Sequence, residues 1–303
     1  MASSAADAAG SLFVLDRLGA ASGLRHAITT RRRPPGPWGP AADWNLRRRG
    51  ADPAVAAANW AALFAETGVP PERMVAPQQV HGAEVVVVGA ADAGKGLASG
   101  DPGIRGADAL ITATPGLFLL TGCADCVPVF VYDPVRRAIG LAHAGWRGTA
   151  ARIAEKTVRA MGAAFGTDPA DCLAAIGPAI GPCCYDVGQD VIDLVRDAYA
   201  EADDEWRGEP PLLIWSRRLP AWRARRGDAP DGEERVYLDL WAANRRALLL
   251  AGVPGPRIEC PAICTADHVD RFYSHRAEEG RAGRFMALLG LAPDGAAAGS
   301  LPG

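Results

Sequence analysis

At 303 residues, with 49% hydrophobic and 22% charged side chains, the chain has the composition of a globular protein that can bury a sizeable core. A formal net charge of −3 gives no drive toward nucleic acid or a membrane surface, and Asp125 interrupts the longest apolar stretch before it could span a bilayer. Seven cysteines, an odd number with no disulfide-scaffold spacing, read as reduced thiols; with no basic-then-apolar leader at the N-terminus, a cytoplasmic location is expected.

Residues 1–10 and 292–303 are mostly Ala, Gly, Ser and Pro, and are expected to be flexible ends flanking one catalytic domain over 11–291. Residues 31–40 read as a rigid, irregular, solvated loop whose arginine run could meet an anion. Residues 53–66 read as a helix with Val55, Trp60, Leu63 and Phe64 on one side. Short apolar runs bounded by Gly, Pro or Asp predict strands at 84–88, 107–112, 117–121, 127–132 and 138–143. Thr149 is a good N-cap for a helix reaching about residue 164, with Ala154, Val158 and Met161 on one face. A strand at 172–176 and a helix at 188–201 follow, the helix turning Val191, Leu194, Val195 and Ala198 to the core. Residues 202–234, rich in charge and proline, read as a long exposed insertion or lid. A strand at 236–240, a helix at 241–251 and strands at 258–263 and 284–288 complete the chain. The strands come in runs, with no internal repeat and no convincing linker. That argues for mixed sheets covered by helices within one domain.

The richest chemistry lies at Leu141-Ala-His143-Ala-Gly-Trp146-Arg147-Gly-Thr149. An imidazole ends an apolar run, where α/β folds keep their sites, and a guanidinium follows beside a helix start, which suits phosphate or carboxylate. Trp146 could stack on a ring or fill the core. The structural alternative for Arg147 is a pair with a nearby carboxylate such as Asp125. Cys123 and Cys126 form a CxxC that is weak evidence alone, and His81 stands before a run of valines. Two histidines and a cysteine at strand edges can build a metal or cysteine-hydrolase centre, although spacing alone cannot join positions 81, 126 and 143. The glycine–proline loop 176–188 lacks both GxGxxG and P-loop patterns, and predicts close approach of backbone to a ligand or strand. Phe272-Tyr-Ser-His275-Arg276 adds another imidazole and guanidinium.

Six motifs occur in order: Gln79-Val-His81-Gly, Ala107-Asp108-Ala, Ala124-Asp-Cys126-Val-Pro, His143-Ala-Gly-Trp-Arg147-Gly, the 176–188 loop ending Cys184-Tyr-Asp-Val-Gly, and Phe272-Tyr-Ser-His-Arg276. Together, over roughly residues 40 to 290, they resemble the laccase-domain family, which is named for a multicopper polyphenol oxidase and now described as purine nucleoside phosphorylases with adenosine deaminase activity. The resemblance implies a four-layer α/β/β/α sandwich with mixed β-sheets, related to a Cys–His toxin deamidase fold. It implies a zinc site, with copper as an alternative occupant, made by His81, Cys126 and His143, which would also be the catalytic residues. Two imidazoles and a thiolate suit zinc and leave a coordination position open. The implied partners are purine nucleosides (adenosine, inosine, S-methyl-5′-thioadenosine) and phosphate, with Arg147, Trp146 and Arg276 as binding residues. The chain departs from the family at Cys123, where Thr is usual, at Trp60 after Asn59, and at Ala277 after Arg276, where Arg is common at both.

Three other readings compete. Five histidines with no H-x-H pair cannot ligate a multicopper cluster, although a single-copper polyphenol oxidase stays open. A cysteine hydrolase would use Cys126 as nucleophile and His143 as base. A non-catalytic scaffold would dock a partner through 202–234.

Overall fold

The computed structural model describes residues 10–47, 52–98, 100–200 and 209–292. Its main elements begin with β1 (Leu12–Phe13), β2 (Leu24–Thr29), α1 (Pro53–Thr67), β3 (Met74–Val75), β4 (Val85–Val87), β5 (Ala109–Thr112) and β6 (Phe118–Cys123). They continue with β7 (Val127–Asp133), β8 (Ala138–Ala144), α2 (Trp146–Ala150), α3 (Ile153–Phe165), β9 (Leu173–Ile176), β10 (Asp186–Val187) and α4 (Gln189–Tyr199). The last are β11 (Leu213–Ser216), β12 (Arg235–Leu238), α5 (Leu240–Leu250), β13 (Ile258–Glu259) and β14 (Phe285–Leu291).

Two mixed sheets form the centre. One has five strands in the order β1-β2-β14-β6-β3, the other six in the order β13-β9-β7-β8-β5-β4. Within them only β3–β6, β4–β5 and β9–β13 run parallel. Side chains alternate between faces along each strand, as a pleated backbone requires. In β7, Phe130 and Tyr132 face the other sheet and join Leu119, Leu141 and Leu289 in a core between the two. Val127, Val129 and Val131 point outward and pack under α3 and α5 through Val158, Met161 and Leu248. On the far side, Phe118, Leu120, Met286 and Leu288 meet Ala62 and Leu63 of α1. The result is helix, sheet, sheet, helix: the expected four-layer α/β/β/α sandwich with mixed sheets.

Several local expectations change. The helix foreseen from Thr149 is two helices, α2 and α3, separated by Arg152 in the left-handed conformation (φ 55°). Thr149 therefore sits inside α2, buried, where its hydroxyl accepts from Asn244 Nδ2 at 3.0 Å. Strands β1 and β2 were not foreseen, and the expected 258–263 strand shortens to Ile258–Glu259. Val55 and Leu194 are exposed, not core-facing. The arginine run is tied down: Arg33 is buried and donates to the Trp38 and Pro40 carbonyls, while Arg31 bridges Asp43 and Glu278.

The segment read as an insertion is structured from residue 209. β11 pairs with β12, which pairs with β10 in a small three-stranded sheet. Residues 202–208 lie outside the described residues, as do 1–9 and 293–303 of the expected flexible ends. Among the described residues, no helix is long and apolar enough to cross a membrane.

Candidate metal centre and cavity

The site assembles where the ends of β6, β7 and β8 meet the loop before β4. His143 is the penultimate residue of β8, pairing with Pro128 of β7, and its N–H donates to the Asp108 carbonyl at 2.8 Å, so its backbone is held from both sides. Cys126 immediately precedes β7. It is aimed by Asp125, a buried residue held at φ 82°, a conformation that non-glycine residues rarely adopt. Asp125 is anchored through its carboxylate, which accepts from Thr265 Oγ1 at 2.7 Å and from the Arg276 N–H at 2.6 Å. Burial, resisted by those two donors, raises its pKa. His81 comes from a tight loop in which Gln79 and His81 both have positive φ (47° and 60°). The Gln79 side-chain amide clamps this loop to β6, exchanging two hydrogen bonds of 2.9 and 3.0 Å with the Gly122 backbone.

One ligand atom from each of His81, Cys126 and His143 lies within 4.8 Å of the others, and the two imidazoles meet edge to face at 5.0 Å. Behind them sits Asp108, fully buried. Its carboxylate accepts the backbone N–H groups of Val80, His81 and Gly82 at 3.1, 3.0 and 2.7 Å, and lies 3.0 Å from His143 Nδ1. One side chain thereby shapes the loop carrying the first histidine and orients the ring of the second, leaving Nε2 for the site. A carboxylate behind an imidazole is the usual support of a metal-bound histidine. Sequence reasoning placed Asp108 in a motif without giving it a role; a buried carboxylate ahead of an apolar strand was the available signal.

Electrostatics follow the geometry. Burial opposes ionisation of Cys126, but the His143 charge and hydrogen bonds from both imidazoles outweigh it and bring the thiol down to about 6. Burial likewise opposes protonation of His143, yet Cys126 and Asp108 raise it to about 9. Burial pushes the Asp108 carboxyl up, and the bonds from His143 and Gly82 more than offset it, holding it below its ordinary value. Both shifts favour a thiolate beside an imidazolium. The cluster's donor set, two imidazoles and one thiolate that ionises readily, fits zinc or copper with a position left over.

Glycines make the packing tight. A Cβ on Gly145 would lie 3.1 Å from His81 Cδ2 and 3.2 Å from Cys126 Sγ, and one on Gly148 would meet the Gly82 carbonyl at 2.8 Å. The turn into α2 is thus pressed against both ligand-bearing loops.

The cluster opens onto a cavity of about 1600 Å³, whose walls include Trp146, Arg147, Ile180, Tyr185, Leu240 and Arg276. Arg147 is exposed, its guanidinium 4.1 Å from the centre of the Trp146 ring. The Asp125 pairing considered for it does not form, since that carboxylate faces Thr265 and Arg276 instead. Arg276 is held in place: Nη1 donates to Asp186 Oδ1 at 2.6 Å and to the Asp186 carbonyl at 2.9 Å, with the guanidinium over Tyr185. All six sequence-derived site residues thus reach one cavity. In the 176–188 loop, the Gly177 N–H donates to the Pro128 carbonyl at 2.9 Å, so its close approach is to a strand rather than to open space. Cys123 is buried, and burial raises its thiol well above the ordinary range.

The family model described as "Multi-copper polyphenol oxidoreductase laccase" matches residues 25–292. Among curated proteins, the chain is 39% identical over 221 residues to "Purine nucleoside phosphorylase YlmD" of Geobacillus stearothermophilus, covering 73% of each chain. It is 30% identical over 214 residues to "Adenosine deaminase RL5" from an unknown prokaryotic organism, covering 71% of this chain and 73% of that one. The crystal structure of YlmD from Geobacillus stearothermophilus superposes with a TM-score of 0.77 at 33% identity, covering 94% of this chain and 98% of that one.

Proposed function

The chain belongs to the multi-copper polyphenol oxidoreductase laccase family, and from that footing we propose that it is a purine nucleoside phosphorylase. It cleaves adenosine, inosine and S-methyl-5′-thioadenosine with phosphate, and deaminates adenosine as a side activity. The observation that carries this reading is the convergence of His81, Cys126 and His143 on the wall of the cavity that Arg147 and Trp146 also line. Residues 11–291 act as one catalytic domain.

In phosphorolysis the bond from the sugar anomeric carbon to the purine nitrogen breaks, with its electron pair leaving on the base. A phosphate oxygen takes its place on that carbon, giving ribose 1-phosphate. The transition state has cationic sugar character, so a phosphate fixed beside it both attacks and stabilises. Arg147, exposed on the cavity wall and without a carboxylate partner among the described residues, is the donor for that phosphate. Arg276, already oriented by Asp186, offers its remaining N–H groups as a second donor, and Trp146 provides a ring on which the purine stacks. His81, Cys126 and His143 would hold zinc or copper, and a bound zinc supplies the activation of water that deamination at purine C6 requires.

A multicopper oxidase finds too few ligands here, because His26, His268 and His275 lie outside the His81/Cys126/His143 cluster. The Cys126–His143 contact does favour a second reading, a cysteine hydrolase. Alkylation of Cys126 in the metal-loaded protein separates the two, since a ligated thiolate is protected. The direct test of the leading reading is release of base from adenosine with and without phosphate. A rate independent of phosphate overturns it.

A further inference from the structure

Outside the cavity, the described residues contain one more group of metal-ligating side chains whose donor atoms all lie within 4.8 Å of one another: Cys183, Cys184, Cys264 and Asp267. We propose that these four residues form a second metal site, separate from the His81/Cys126/His143 centre, which takes a thiophilic divalent cation of the zinc class and ties two distant segments together. The site supplies no group to the reaction carried out in the cavity.

The geometry suits a closed tetrahedron. Zinc–sulfur bonds of about 2.3 Å place sulfurs on a tetrahedron roughly 3.8 Å apart, inside the spread seen here. The Asp267 carboxylate faces two of the thiols at once, with Oδ2 2.9 Å from Cys183 Sγ and Oδ1 3.5 Å from Cys184 Sγ. Cys184 and Cys264 are buried, Cys183 and Asp267 half-buried. Four protein donors leave no position for a substrate, which marks a structural rather than a catalytic site.

The surroundings also fit an anionic cluster around a cation. Three thiolates, one carboxylate and a divalent ion carry a net negative charge, which needs donors and a cation nearby. The Gly181 N–H donates to Cys264 Sγ at 3.3 Å, and Arg225 forms an ion pair with Asp267 Oδ1 and donates to the Ala266 carbonyl at 2.7 Å. All seven cysteines of the chain are free, so no disulfide already consumes these sulfurs.

Position gives the tie its meaning. Cys183 and Cys184 belong to the loop between β9 and β10, whereas Cys264 and Asp267 follow β13. Apart from the donor cluster, the two segments are joined by an isolated bridge between Ala179 and Cys264. Thr265, next to Cys264, anchors Asp125 beside Cys126, and Tyr185, next to Cys184, forms cavity wall. A cation at the second site would brace the backbone behind the first.

The test uses the full-length protein, purified reduced and loaded with Zn²⁺ or Co²⁺. The Cys126→Ser/His143→Ala variant, stripped of the first centre, should still bind ~1 metal per chain and, with Co²⁺, show thiolate-to-cobalt charge-transfer absorption. Adding Cys183→Ser and Cys264→Ser should abolish both. A readout that needs no variant is alkylation mapped by mass spectrometry: Zn²⁺ should protect Cys183, Cys184 and Cys264, and a chelator should expose them. A folded Cys126→Ser/His143→Ala protein that binds no metal, equal alkylation with and without Zn²⁺, or a disulfide within this trio in the reduced preparation would each overturn the proposal.

Discussion

The Asp108 carboxylate faces His143 Nδ1 at 3.0 Å from a fully buried position, while the same two oxygens collect three consecutive backbone N–H groups from the loop of His81. Two metal-ligand candidates 62 positions apart are thereby set by a single side chain. Asp108→Asn keeps the shape but replaces an acceptor with a donor facing N–H groups. Metal affinity, measured by competition with a chromogenic chelator, is expected to fall about 10–100-fold, with the fold retained by circular dichroism. An unchanged affinity would show that His143 needs no carboxylate behind it.

Gly145→Ala tests the packing of the turn. Its new methyl would sit 3.1 Å from His81 and 3.2 Å from Cys126, so one ligand must move. Weaker metal binding with near-normal thermal stability is the expected result. A variant that binds metal as tightly as the parent would mean that the loops relax at no cost.

Arg147 and Arg276 differ in what already holds them. Removing a charge-assisted hydrogen bond to phosphate costs roughly 1.5–3 kcal/mol, so Arg147→Ala should raise the KM for phosphate about 10–100-fold. Arg147→Lys should recover part of that loss. Arg276→Ala should act on both substrates, because it also frees Asp186 and the Tyr185 ring, the latter on the cavity wall. Initial-rate measurements with phosphate and nucleoside varied separately decide; equal phosphate KM in Arg147→Ala and parent would remove Arg147 from the site.

His26 predicts an acid weakness far from the cavity. It is buried, and its Nε2 accepts the Leu15 N–H at 2.8 Å, which requires the neutral ring. Burial lowers its pKa from the ordinary 6.5 to about 4. Between those values the unfolded chain binds a proton that the folded protein refuses. The stabilisation is therefore full above pH 6.5 and is lost as pH falls toward 4, by roughly 3 kcal/mol. Urea unfolding at pH 7.5 and at pH 4 should show His26→Gln losing less stability on acidification than the parent. Parallel losses in the two proteins would assign the acid sensitivity elsewhere.

Much of this was legible beforehand because its signals are local. The β-run from 84 to 143 could be read from apolar blocks cut by Gly, Pro and Asp, and β7 and β8 fall within a residue of their expected ends. The helix break at Arg152 was not legible, because Arg in a left-handed conformation leaves no trace in composition; α2 turns away there to press Gly148 against Gly82. β2 escaped notice since Arg25 and His26 interrupt its apolar run and its partner lies at the far end of the chain. His81, Cys126 and His143 stand out at strand edges, but only resemblance to a family joined them into one ligand set. No spacing rule brings positions 81, 126 and 143 together; the ladder between β7 and β8 and the Asp108 hub do. The second sulfur cluster stayed hidden for the same reason, with Cys183 and Cys264 meeting only after β9 and β13 align.

The five-stranded sheet places β2 beside β14, so that the Met286 N–H reaches Thr29 Oγ1 across 257 positions of sequence. During synthesis β2 leaves the ribosome long before its neighbour exists, with Ala27 and Ile28 still unsheltered and its hydrogen-bonding edge unpaired. The five-stranded sheet can therefore close only once β14, at the far end of the described chain, has been made.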